Sequence, residues 1–277
     1  MSKVAKLATW AMIPALMASG LCLAQAPGPA PVIDQETEIG QSVYEELQDK
    51  GEIIDSSPFY ARLEPVAAAI SRAAQPRYPH PFKFILVHES QPNAFSVPGG
   101  NVYVTDSLLY FVKNTEELSG TLCHEVSHTI HRDAVTRMRE DQRIRGREIA
   151  AAILLGPTLA RVIALKMIGD LHSLAYSRDE ESRADVTGSD ICAATAYNPW
   201  GLVWLFEEFQ NADPKQIPQL LSDHPANGTR VGTLEKHFRD NPAVFAKFNP
   251  DLRSATPFSV PKAAPEHFLP PKDGASR

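Results

Sequence analysis

The chain has three cysteines among 277 residues, too few for a disulfide framework to hold its fold. It has no lysine- and arginine-rich block, and acidic residues outnumber basic ones by 33 to 27. The electrostatic footprint of a nucleic-acid binder is therefore missing. Beyond the N-terminus it also lacks a clean membrane span. The most apolar stretch, residues 147–170, is interrupted by Pro157, Arg161 and Lys166. That stretch reads as a buried helical hairpin; the other reading, a lid or membrane-leaning element, leaves peripheral membrane association open. With 43% hydrophobic residues, the chain can bury one sizeable core.

The N-terminus has the parts of an export signal. Lys3 and Lys6 precede the apolar run "LATWAMIPALMASGLCLA", and small residues then suit cleavage after Ala24. Pro14 argues against an uncleaved anchor, and Leu21 sits where a small residue would precede a lipidated Cys22. The expected destination is the periplasm. Loss of the two lysines takes the formal charge from −6 to −8. Cys123 and Cys192 then remain, both inside apolar helical segments, and read as buried free thiols rather than a disulfide.

Residues 25–33 form a proline-rich spacer. A helix is predicted from Asp34, a good N-cap, to a stop at Gly51, and a second over residues 58–74. "PRYPHP" breaks the pattern, and the period shortens to that of strands in "FKFILVHES", "AFSV" and "NVYV", with Pro98-Gly99-Gly100 as the turn. Helices follow: one over residues 115–137 with Thr115 as its cap, one through "SRDEESRAD", one through "PWGLVWLFEEFQ" and one ending near Asp240. The expected fold is α+β, mainly helical, with a small sheet of about three strands. The folded domain is expected to span residues 34–250, with 251–277 a poorly ordered proline-rich tail. No internal repeat is visible.

Within "GTLCHEVSHTIHRD", His124 and His128 are four apart and share one helical face, so both can reach one ion. Glu125 is rotated about 100° around the axis, placed to act on a water rather than to ligate. Imidazole nitrogen and carboxylate oxygen suit zinc. Leu122, Val126 and Ile130 are available for packing, and His131 and Arg132 read as outward-facing. A third ligand has to come from elsewhere, and "SRDEESRAD" is the best source. Glu181 and Asp185 share a face there, with Asp185 free to accept the spare N–H of a ligand histidine. Spacing alone does not separate Glu181 from Glu180.

Taken in order, "NAFSVPGGNVYVTDSLL", "HEVSH", "SRDEESRAD" and "SDHPANGTR" resemble the M48 family of zinc metallopeptidases, over about residues 36–238. The resemblance is to its soluble, exported branch, and it implies a zincin-like, gluzincin-type fold. It also implies one zinc per chain, held by His124, His128 and Glu181, with Glu125 as catalytic base and Asp185 behind a ligand. His224 matches a histidine suited to stabilising the tetrahedral intermediate; Arg230 orients it or contacts the intermediate. Asn93 and Ala94 resemble residues of the substrate-binding edge. The family's usual aromatic after the third ligand is Ser182 here, a departure that touches packing more than chemistry.

The function implied is a metalloendopeptidase acting on unfolded or misassembled proteins in envelope quality control. A chaperone or adaptor with gated cleavage, or a zinc amidase acting on cell-wall peptides, are the other functions such a chain could serve. The sequence does not define an oligomeric state.

Overall fold

A computed structural model of the chain describes residues 34–137, 176–210, 220, 224 and 228–259. The signal and spacer, the apolar stretch 147–170 and the tail beyond 259 lie outside the described residues. Among the described residues, no helix is long and apolar enough to cross a membrane.

The first helix, α1 (Gln35–Asp49), starts where Asp34 accepts the Thr37 N–H at 3.0 Å. Its buried face is Ile39, Val43 and Leu47, each four residues after the last. Gly51, at φ +72°, turns the chain away. The second helix, α2 (Tyr60–Ala74), buries Leu63, Val66, Ile70 and Ala74 on the same principle.

Three strands follow: β1 (Lys83–Val87), β2 (Ala94–Ser96) and β3 (Asn101–Thr105). Their order is β1-β3-β2, with β1 parallel and β2 antiparallel to β3. The β2–β3 turn uses Gly99 and Gly100 at φ +91° and +93°, angles that other residues rarely adopt. Alternation in β3 divides the apolar side chains between two clusters. Tyr103 packs with Ile39, Val43 and Leu47 under α1, whereas Val102 and Val104 join the main core.

After a short helix, α3 (Asp106–Phe111), comes the central element α4 (Thr115–His131), buried from Glu116 through Thr129. Its cap is Asn114, one residue before the expected Thr115: the Asn114 side chain accepts the Glu117 N–H at 2.8 Å and donates to Glu117 Oε1 at 2.6 Å. The helix also ends earlier than expected. Arg132 takes left-handed angles, and helical residues resume in a new direction over residues 133–137.

Around α4 lie α2, α5 (Arg178–Ala193) and α6 (Trp200–Gln210), with α7 (Gly228–Asp240) against α5 and α6 and a short α8 (Pro242–Phe245) after it. Gly188 allows α5 its close approach. A Cβ there would lie 3.0 Å from the Cys123 carbonyl oxygen and 3.1 Å from His124 Cα. Cys123 and Cys192 are buried free thiols.

The folded region runs past its expected end at residue 250. Leu252–Ser254 form a 3₁₀ turn, and Pro257 bridges to Asn114. The Thr256 N–H and hydroxyl both donate to the Glu116 carboxylate, each at 2.9 Å. These are directional contacts that a proline-rich composition does not forecast.

Gly188→Ala should push α5 off α4, lowering stability by about 1–3 kcal/mol as overpacked cores do and weakening metal binding. Thermal melting with a parallel zinc titration measures both.

Candidate metal centre

The α4 helix presents two imidazoles toward α5. His124 Nε2 and His128 Nε2 are 3.0 Å apart, and both residues are buried. Each ring is held from behind by a carboxylate. His124 Nδ1 lies 3.1 Å from Asp185 Oδ1, and His128 Nδ1 lies 2.8 Å from Asp133 Oδ2. An ionised carboxylate only accepts, so each Nδ1 carries the ring proton. Both Nε2 lone pairs then face one another, an arrangement that calls for a cation between them.

The register ambiguity on α5 resolves through the helix start. Ser177 and Glu180 form a reciprocal capping box, and Glu180 also pairs with Arg137 at 2.6 Å. Despite partial burial, the Arg137 pair and the Ser177 bonds hold the Glu180 carboxyl down at about 2. Glu181, the next residue, is rotated inward. Its Oε2 is 3.4 Å from His124 Nε2, and its Oε1 is 3.6 Å from His128 Nε2.

His224 enters the same space. Its Nδ1 lies 2.9 Å from Glu181 Oε1 and 3.3 Å from His124 Nε2, and its Nε2 is 3.3 Å from Glu125 Oε1. One donor atom from each of His124, His128, Glu181 and His224 lies within 4.8 Å of all the others. Donors about 2.0–2.1 Å from one tetrahedral ion sit about 3.3–3.4 Å apart. Along the contacts named here the spacings run from 2.9 to 3.6 Å, around that value, and two imidazoles with a carboxylate, His224 beside them, are a fitting set for such a metal.

Burial disfavours charge on Glu181, but the surrounding His224, His124 and His128 imidazoles outweigh it and hold the carboxyl far below the usual range. Glu125 is shifted the other way: burial raises its carboxyl against the pull of His224 and His124. For His124, burial pulls downward, yet its bonds to Asp185 and Glu181 prevail and lift the imidazole to about 9. A proton thus occupies the metal-free centre at neutral pH.

Arg230 binds this cluster together. It grips Asp185 with two contacts, at 2.8 and 2.6 Å, and reaches Glu181 Oε2 at 2.7 Å and the His224 carbonyl at 3.0 Å. Its guanidinium lies 4.2 Å from the Phe206 ring centroid.

Asn93 and Ala94 stand at the start of β2. The Asn93 N–H donates to Thr105 Oγ1 at 2.9 Å, and its carbonyl accepts the Thr105 N–H at 3.0 Å, so its main chain is committed to β3. Val97 likewise bonds Asn101. By the antiparallel alternation, the peptide groups of Ala94 and Ser96 point away from β3.

Two residues escaped the sequence reading. Asp133 lay in what read as uninterrupted helix. Tyr176 stacks on His128 with ring centroids 4.0 Å apart and planes at 14°; as a single aromatic beside the acidic run it carried no signal. Tyr176, Val97, Pro98 and Val135 help wall a crevice of about 10 Å³ beside His128, room for one water. Of the two residues expected to face outward, Arg132 is exposed and pairs with Glu36 at 2.6 Å, whereas His131 is half-buried, its Nε2 2.9 Å from Thr187 Oγ1 between α4 and α5.

The family model described as peptidase family M48 matches residues 60–237. The beta-barrel assembly-enhancing protease of Yersinia pestis is 27% identical over 161 residues, covering 54% of this chain and 33% of that protein. The mitochondrial metalloendopeptidase OMA1 of Saccharomyces cerevisiae is 26% identical over 153 residues, 53% of this chain and 44% of its own length. A putative beta-barrel assembly-enhancing protease of Vibrio cholerae is 24% identical over 226 residues, 76% of this chain and 46% of the relative. The chain thus spans between a third and a half of these curated relatives.

Zinc entering the centre at pH 7 should displace the His124 proton. Calorimetry in buffers of different ionisation enthalpy should read about one proton released, with affinity rising about tenfold per pH unit up to about 9. In the metal-free protein this imidazole, raised from 6.5 to about 9, stabilises the fold fully below pH 6.5. That contribution is lost as pH rises through about 9, so the melting temperature should fall over that window only when chelator is present.

Proposed function

This chain belongs to peptidase family M48, and from that premise we propose that it is a zinc-dependent endopeptidase of the cell envelope, cleaving unfolded or misassembled proteins. The observation that carries the reading is the convergence of His124, His128 and Glu181 beside a buried Glu125. Bound zinc would supply a Lewis acid for activating water and polarising a peptide carbonyl.

Glu125 is the general base in this proposal. Its carboxyl is raised by burial, which brings it closer to the range in which a base can both take a proton and return it. It removes the proton from the attacking water and delivers it to the departing amine. Asp185 holds His124 by its Nδ1–H, and Arg230 holds Asp185 and Glu181 in turn. His224, close to Glu125 and anchored through its carbonyl by Arg230, donates to the developing oxyanion.

The substrate would lie along β2 as an added strand, bonding through the main-chain groups of Ala94 and Ser96. Asn93 secures the start of that strand to β3 rather than meeting substrate with its main chain. Recognition of the main chain gives wide side-chain tolerance and suits unfolded clients. Names of relatives that act as assembly-enhancing proteases support the quality-control reading, and the N-terminal export pattern supports an envelope location.

Glu125→Gln should retain bound zinc and native melting but lower cleavage of casein by about 10³-fold, within the usual range for a lost general base. Unchanged cleavage would remove Glu125 from the chemistry. Cleavage of cell-wall peptides but not of casein would make the protein an amidase, and client binding without cleavage by the wild type would make it an adaptor. His224→Ala should lower kcat by about 10²-fold with KM and zinc content held, as for a lost oxyanion donor; a fall in zinc content would instead make His224 a ligand.

A further inference from the structure

We propose that Asp133 fixes the orientation and tautomer of His128, and that the left-handed backbone at Arg132 serves to deliver it. The proposal rests on the reading of His124, His128 and Glu181 as a metal centre and extends it to a residue outside the recognised motifs.

Arg132 has φ 56° and ψ 37°, and is the only non-glycine residue with positive φ among those described. Such a conformation is strained for a residue with a side chain and persists only where its surroundings enforce it. Several contacts do so here. The Arg132 N–H caps the His128 and Thr129 carbonyls. Its side chain pairs with Glu36 of α1 and lies 5.5 Å from the Tyr78 ring centroid. The Tyr78 hydroxyl donates to Glu36 at 2.6 Å and accepts the Gly99 N–H at 3.0 Å. The corner is thus braced against both α1 and the β2–β3 turn.

Without that corner Asp133 could not do what it does. Five residues along an unbroken helix is about 140° around the axis, which would aim residue 133 away from the His128 ring. The turn at Arg132 reverses this. Asp133 is 1% exposed, with Oδ2 2.8 Å from His128 Nδ1 and its other oxygen paired with Arg183. Arg183 lies two residues after Glu181 on α5, so one helix supplies both a metal-facing carboxylate and the clamp on Asp133.

The result is two equivalent pairs, His124 with Asp185 and His128 with Asp133. A carboxylate accepting Nδ1–H keeps the Nε2 lone pair available and makes it a stronger donor. The Asp185 pair belongs to a recognised motif. The Asp133 pair arises from backbone conformation alone.

The test is zinc affinity of the full chain, by competition with a chelator of known affinity, together with ¹⁵N shifts of His128 in the metal-free protein. Asp133→Ala should weaken zinc by about 10–100-fold and leave His128 exchanging between tautomers. Asp133→Asn, of the same shape, should fall between it and wild type, guarding against misfolding as the cause. At residue 132 the contrast is conformational: Arg132→Gly should stay within about threefold of wild type because glycine adopts left-handed angles freely. Arg132→Val, β-branched and strained there, should fall as far as Asp133→Ala. Equal losses for Arg132→Gly and Arg132→Val would overturn the role of the backbone. An unchanged tautomer and affinity in Asp133→Ala would overturn the whole proposal. A wild type that binds no zinc would refute the metal centre itself.

Discussion

Two imidazole lone pairs meeting at 3.0 Å are the constraint around which this molecule is organised. Neutral histidines do not rest in that arrangement unaided. Each is fixed because its Nδ1 is occupied by a carboxylate, which leaves Nε2 facing inward. Only a positive charge between the rings relieves the repulsion. The centre therefore suits a cation, and although burial opposes it, bonds to Asp185 and Glu181 raise the His124 imidazole.

The carboxylates make the same demand. Glu125, Asp133, Glu181 and Asp185 are all buried; the half-exposed Arg183 pairs with Asp133, and among the described residues Arg230 is the one buried guanidinium, answering Asp185 and Glu181. Arg230 is placed to serve several partners through its planar fork, bidentate to Asp185 and in contact with Glu181, with Phe206 against its face. A lysine would offer a point charge and no such geometry. A bound cation would balance the remaining negative charge and so couple its retention to the stability of the surrounding helices.

Much of this was legible in the amino-acid order, for definite reasons. His124 and His128 declare themselves because four-residue spacing is a property of every helix. The three strands and their glycine turn follow from period and from φ preferences. Glu181 was harder. Spacing left it level with Glu180 until the family pattern separated them; in the structure Glu180 is taken by the Ser177 capping box and Arg137, while Glu181 faces the two imidazoles. Asp133 was not legible, since an arginine in left-handed conformation has no sequence signature as a glycine would. The same holds for residues 251–258, where proline content suggested disorder while Thr256 and Pro257 made specific contacts.

The attachment of Thr256 to Glu116 spans 140 residues and joins the start of α4 to nearly the last described segment of the chain. While the polypeptide is still being made, that opening turn therefore lacks one of its partners until residue 256 has emerged. Full assembly of the α4 entrance in this way waits on the emergence of residue 256.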